Sequence, residues 1–164
     1  MKTIATSTMI IASLVVFSGC HQDHNETLTA HQIEQIKIDV EKAAEPLMTG
    51  WAALDGSIAL KSFSKEMVSC FDTLLLDYDA YAKSWDIYTE ARSAIEIITL
   101  KNDYIILTPD LVIDSWVGKV EEVLKTGEKI LYNPMRYTNL FKKTDGEWKI
   151  IFAQSTGIPV VVAP

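Results

Sequence analysis

The stretch Arg136-Tyr137-Thr138-Asn139-Leu140-Phe141-Lys142-Lys143-Thr144-Asp145-Gly146-Glu147-Trp148-Lys149-Ile150-Ile151 decides the fold. Polar Thr144-Asp145-Gly146 lies between two segments rich in aromatic and branched side chains, the signature of an antiparallel hairpin. Moving toward the N-terminus, the same pattern recurs. Ser93–Leu107, Leu111–Leu124, Glu128–Lys143 and Glu147–Thr156 read as strands, separated by Thr108-Pro109-Asp110, Thr126-Gly127 and Thr144-Asp145-Gly146. Long strands on tight turns predict an antiparallel meander, which must twist and curl at this length. The concave side of a curled sheet has to be filled, and only the first half of the chain can fill it.

That first half is helical. Ile33, Ile36, Val40, Ala43, Leu47, Trp51 and Leu54 follow a three-four spacing, the apolar stripe of an amphipathic helix. Thr29 with Gln32 three residues on predicts a capping box. Pro46 should kink the helix, since it has no N–H and crowds the carbonyl one turn back. Asp55-Gly56 ends it, Ser57 to Phe63 can form a short second helix, and Met67 to Phe71 suggests a strand. Tyr78, Tyr81, Trp85 and Tyr88 return to helical spacing. The expected class is α+β, helices packed on a strongly curved antiparallel meander as a cone.

Composition narrows the function. The chain has 164 residues with 15 Lys+Arg, 22 Asp+Glu and a net charge of −7, which argues against nucleic acid as a partner. Two cysteines make neither a disulfide framework nor a four-ligand zinc site. The only histidines are His21, His24 and His31. No phosphate loop, nucleophile elbow or Cys-His pairing is present. Asp72, Asp77 and Asp79 lack the glycine and distal glutamate of a calcium loop, and helix capping near Asp77 accounts for them better. Cys70 reads as a buried, inert thiol. No cofactor and no metal is expected.

Met1-Lys2-Thr3 is a short basic start to an apolar run from Ile4 to Phe17, too short to span a bilayer and suited to a signal-peptide core. Phe17-Ser18-Gly19-Cys20 resembles the bacterial lipobox, with Phe17 in place of the usual leucine. The expected division is a lipoprotein signal over 1–19, a flexible tether over 20–28 and one domain over 29–160. Lipidated Cys20 would be the membrane anchor. His21 after it, rather than Asp, implies by resemblance to enterobacterial lipoproteins the outer membrane, facing the periplasm.

The order of elements resembles the nuclear transport factor 2-like superfamily, which includes the SnoaL-like proteins. Arg136-Tyr137-Thr138 leading to Asp145-Gly146-Glu147-Trp148-Lys149-Ile150 is similar to that family's closing hairpin, and Trp51 followed by Asp55-Gly56 fits the end of its first helix. The resemblance implies the cone fold and a homodimer through the outer sheet face. It leaves activity open among isomerases, dehydratases, cyclases and noncatalytic binding domains. Many relatives carry histidines at alternate positions of the last strand, where this chain has Phe152 and Gln154; catalysis by that route is not expected.

Taking each turn as a three-residue loop predicts which side chains converge. Lys143 would pair with Glu147 and Leu124 with Glu128, placing Tyr104–Asp114–Thr138–Phe152 and Asn102–Trp116–Arg136–Gln154 in two rows on one face. Asp114 and Arg136 would be diagonal neighbours. A one-residue difference in any loop inverts that strand and dissolves the cluster. Asp114 could then be a general base with Tyr104 beside it, a ligand contact, or half of an ion pair fixing register. Trp51, Trp85, Trp116, Arg136, Thr138, Phe152 and Gln154 are the expected ligand-binding set. The opposite face would carry Ile105, Ile113, Val117, Tyr137, Phe141, Ile151 and Ala153, apolar enough to imply a contact. The leading expectation is a lipid-anchored, noncatalytic domain that binds a small apolar or amphipathic ligand, or a protein partner, in the cone. The alternative is a cofactor-free isomerase, dehydratase or cyclase.

Overall fold

Thr29 begins the first helix as expected: its hydroxyl accepts from the Gln32 N–H at 3.2 Å, while the Gln32 side chain accepts from the Thr29 N–H at 2.8 Å. The helix, α1, spans Ala30–Ala52 in a computed structural model that describes residues 28–71 and 74–162. At Pro46 the backbone ladder is repaired by a side chain from elsewhere. The Ser62 hydroxyl accepts from the Leu47 N–H at 3.1 Å and donates to the Ala43 carbonyl at 2.8 Å, standing between the two groups of one helical turn. Ser62 is buried there, a specific insertion of the kind that accompanies a proline in a helix.

Asp55 caps α2 (Gly56–Ala59), followed by a 3-10 turn over Leu60–Ser62. Gly50 permits this sharp return. A Cβ there would lie 2.3 Å from the Ala59 nitrogen and 2.6 Å from the Asp55 carbonyl. β1 (Phe63–Phe71) and β2 (Leu74–Asp77) form an antiparallel pair, and α3 (Tyr78–Ala91) starts on an Asp77 cap. The long strands β3 (Arg92–Thr108), β4 (Leu111–Leu124), β5 (Lys129–Thr144) and β6 (Glu147–Val162) follow as the meander. β2 is missing from the sequence reading, because Leu74-Leu75-Leu76 has no alternation to mark a strand.

The six strands lie in one sheet, ordered β2-β1-β6-β5-β4-β3, with β1 joined in parallel to β6. α1 and α3 cover its concave face, and Val40, Met67, Tyr81, Val112, Phe141 and Ile150 are fully or almost fully buried between the layers.

The register departs from the expected one at the β3–β4 turn, where Thr108 lies opposite Leu111 and a bulge at Leu107 follows, at the closing turn, between β4 and β5, and within β6. The closing turn is a two-residue loop, with Thr144 opposite Glu147 and both Asp145 (φ 53°) and Gly146 (φ 84°) left-handed, as a primed hairpin turn requires. The Gly127 turn has the expected three-residue form, with the Leu124 N–H donating to the Glu128 carbonyl at 2.8 Å. The β4–β5 register then slips by one between Gly118 and Val120, opposite Asn133-Pro134. Pro134 has no N–H to give the ladder, so the bulge falls where a hydrogen bond is already missing. A further bulge leaves Ile151 extra and turns the inward positions of β6 from Trp148 and Ile150 to Ala153 and Ser155.

The expected pairings on β3–β4, Tyr104 opposite Asp114 and Asn102 opposite Trp116, are present. Across β5 the faces are inverted. Asp114 lies opposite Asn139 and Trp116 opposite Tyr137. Tyr137, Phe141 and Ala153, expected outside, are buried inside.

Candidate functional site

The concave side of the sheet holds two spaces divided by an aromatic wall. Trp51 packs edge-on against Trp116 and Tyr137, with ring centroids 5.9 and 5.8 Å apart. Trp51, Tyr137 and Leu47 line both spaces.

The larger space, about 290 Å³, lies between α3, the end of α1 and the sheet. Its walls are Trp51, Phe71, Leu76, Tyr81, Trp85 and Tyr137. These rings form a connected chain: Phe71 stacks on Tyr81, which meets Trp85, which meets Tyr88. The tyrosine and tryptophan spacing on α3 creates this wall, because residues three and four apart share one helix face.

One end of this space is polar, and every group there is bound to a neighbour. Glu122 is 2% exposed. It accepts from the Tyr88 hydroxyl at 2.5 Å and from Arg92 Nε at 2.7 Å, with a second Arg92 nitrogen also at 2.7 Å. Tyr88 in turn accepts from the Trp51 indole N–H at 2.8 Å. Arg92 donates to the Tyr88 carbonyl at 3.0 Å, and its guanidinium lies 3.6 Å over the Tyr88 ring. Burial and the Glu122 charge hold the Tyr88 phenol well above its usual pKa. The charges of Arg92 and Glu122 cancel, and among the described residues lining this end no carboxylate is left unpaired.

The smaller space, about 40 Å³, is bordered by Ala44, Met48, Trp116, Asp114 and Asn139. Asp114 is 4% exposed. It accepts from Asn139 Nδ2 at 3.0 Å. The side-chain orientation of Asn102 that satisfies its neighbours donates to Asp114 at 2.7 Å and accepts from the Tyr104 hydroxyl at 2.8 Å. Burial outweighs these two amide bonds and pushes the Asp114 carboxyl up to about 6. Burial and the Asp114 charge push Tyr104 up to about 12. A groove of about 300 Å³ between α1 and β3 adjoins this space, sharing Ala44, Met48, Asn102 and Trp116 with it.

The expected site residues therefore separate. Trp51 and Trp85 line the larger space, and Tyr104, Asp114 and Trp116 surround the smaller one or its groove. Arg136, Thr138, Phe152 and Gln154 belong to neither. The slip between β4 and β5 turns Arg136 and Thr138 outward, and the bulge at Ile151 does the same to Phe152 and Gln154, so they occupy the outer face, with Arg136 and Gln154 exposed. The Asp114–Arg136 pair does not form: Asn139 takes the place opposite Asp114 assigned to Thr138, and Tyr137 the place opposite Trp116 assigned to Arg136. Tyr88, Arg92, Glu122 and Asn139 are the additions. Glu122 was legible: the alternation that turns Asp114 and Trp116 inward continues through Val120 to Glu122. Cys20, His21, His24 and Asp72 lie outside the described residues. Among the described residues, no group of three or more His, Cys, Asp or Glu is placed to hold a metal ion, and no helix is long and apolar enough to cross a membrane.

No protein-family model matches this chain, and no curated protein does. Solved structures do match. A putative scytalone dehydratase from Novosphingobium aromaticivorans superposes with a TM-score of 0.73 at 9% identity, over 82% of this chain and 91% of that one. A type 2 hexachlorocyclohexane dehydrochlorinase gives 0.72 at 10% identity, over 82% and 94%. An NTF2-like protein of unknown function from Pseudomonas putida gives 0.64 at 13% identity, over 75% and 87%. The chain thus has the nuclear transport factor 2-like cone fold, the class that the hairpin resemblance implied.

Proposed function

We propose that this protein is a noncatalytic binder of a small apolar or amphipathic molecule, held in the aromatic space between α3 and the sheet. The observation that carries the reading is the closed polar end: Arg92, Glu122, Tyr88 and Trp51 satisfy one another. The cavity offers aromatic surface, shape and the Tyr81 hydroxyl, which has no hydrogen-bond partner among the described residues and whose pKa burial raises, but no unengaged carboxylate or basic group among those residues. Its volume of about 290 Å³ is near the lower limit for ligand pockets, about 300 Å³, so the ligand is small. Titration with naphthalene, followed through the fluorescence of Trp51 and Trp85, tests this. Saturable quenching is expected in the wild type and its loss in Ser84→Trp, which fills the space; unsaturable quenching in both overturns the reading.

The second reading is a cofactor-free isomerase, dehydratase or cyclase. It is favoured by one observation: Asp114, with its carboxyl near 6 and Tyr104 beside it, can exchange a proton near neutral pH. The names of the dehydratase and dehydrochlorinase neighbours are in keeping with it. Turnover of a screened substrate that vanishes in Asp114→Asn would replace the first reading with this one.

On this reading the domain sits on the outer membrane, facing the periplasm, through lipid on Cys20. Palmitate labelling of cells that is lost in Cys20→Ala is the expected result. A homodimer through the outer sheet face completes it; after the register correction that face carries Ile105, Ile113, Val117, Leu140 and Phe152. Sedimentation of the mature protein at twice the monomer mass checks this.

A further inference from the structure

We infer that the small space beside Asp114 is a second binding site, one that takes the ammonium group of an amine whose apolar body lies in the groove between α1 and β3. Asp114 is a buried carboxylate with no cationic partner among the described residues. Its hydrogen bonds come from the neutral amides of Asn102 and Asn139, and none of the ion pairs among the described residues includes it. A carboxylate in that setting is stabilised most by an opposite charge at contact distance.

A second, independent feature points to a donor. Asn139 is 3% exposed, and its Oδ1 has no hydrogen-bond partner among the described residues, although the side chain borders the space. Buried carbonyl oxygens of this kind are rarely left unbonded. An ammonium supplies both missing things, a positive charge for Asp114 and an N–H for Asn139.

The surroundings select this class over others. Glu41 and Glu45 line the adjoining groove, so its field attracts cations and repels carboxylates. The Trp116 ring borders both space and groove, and its indole N–H is tied to the Thr99 hydroxyl at 2.9 Å, so its position is fixed and an aromatic ring stands beside a cation bound there. Met48 and the Tyr104 ring give the groove apolar surface for the body of the ligand. At about 40 Å³ the inner space admits one compact head group. A calcium ion would need about six to eight oxygen ligands, more than Asp114 and Asn139 supply. A neutral alcohol would satisfy Asn139 and leave the carboxylate without a counter-charge.

The test compares 2-phenylethylamine with 2-phenylethanol, which differ in the head group alone, on the full mature protein at pH 7.5. Binding is followed by the indole N–H resonance of Trp116. The amine is expected to bind at least tenfold more tightly than the alcohol and to shift that resonance. Asp114→Asn is expected to lower the amine to the affinity of the alcohol while keeping the native indole spectrum. Equal affinity for the two compounds overturns the inference, as does a response confined to Trp85, or amine binding undiminished in a folded Asp114→Asn. Should that variant not fold, the comparison of the two compounds on the wild type decides alone.

Discussion

The two ends of the cone interior each bury a carboxylate and treat it in opposite ways. Glu122 has a guanidinium and a phenol upon it, and its charge is neutralised within the fold. Asp114 has two amides and no cation. The first arrangement neutralises the polar end within the fold and leaves aromatic walls around the larger space. The second keeps a charge that the fold itself does not compensate. What distinguishes the two carboxylates is Arg92, which reaches Glu122 from the start of β3.

The strongest way to break the comparison is to make Glu122 resemble Asp114. Arg92→Met leaves a buried carboxylate without its partner and should cost about 3–5 kcal/mol. Urea denaturation measures this, and the double variant Arg92→Met/Glu122→Leu should regain most of the loss. Arg92→Met as stable as the wild type would show that the pair does not hold the closed end together.

Gly118→Ala attacks the other end. The added Cβ would lie 2.2 Å from the Trp116 ring and 2.6 Å from the Ile98 carbonyl. Overpacking of this kind costs about 1–3 kcal/mol, and it should displace the Trp116 indole from Thr99, visible in its N–H resonance. An unmoved resonance would mean that the ring does not depend on the bare glycine backbone.

Asp114→Asn sharpens the contrast through pH. The Asp114 carboxyl stands at about 6 against an ordinary 3.8, so between those values the folded state holds more proton than the unfolded one. Stability from this group is therefore full below pH 4 and lost as the pH rises through 6. Asn cannot titrate. The stability of the variant relative to the wild type should rise by on the order of 2 kcal/mol between pH 4 and pH 7.5. Thermal unfolding at the two pH values measures it; a constant difference contradicts it. Tyr88→Phe tests the closed end more gently than Arg92→Met. It removes one hydrogen bond to the charged Glu122 and the acceptor of the Trp51 indole, for about 1.5–3 kcal/mol, with the Trp51 resonance moving and that of Trp116 still.

Much of the architecture is legible in the chain. The β4 boundaries, the Thr29 capping box and the Asp77 cap follow from alternation and turn chemistry, which act over a few residues, whereas Tyr104 meets Asp114 because a bulge at Leu107 offsets a turn one residue shorter than expected. The site is only half legible. Asp114, Tyr104, Trp51, Trp85 and Trp116 point where their spacing says. Arg136, Thr138, Phe152 and Gln154 do not, because period-two alternation carries an error of one residue into every residue beyond it. Phe141 inside and Leu140 outward are equally apolar, so composition could not choose the face.

By itself the sequence determined the helices, the meander, the turn glycines and the apolar cone, since each rests on contacts between near neighbours. Only the tertiary structure decided where the strands bulge, that β1 lies parallel to β6, and which polar residues meet inside. Curling long strands around α1 and α3 requires bulges, and their positions depend on the packing of the whole sheet. One such slip, opposite Asn133-Pro134, moved Arg136 out and Asn139 in, and so left Asp114 without a cation.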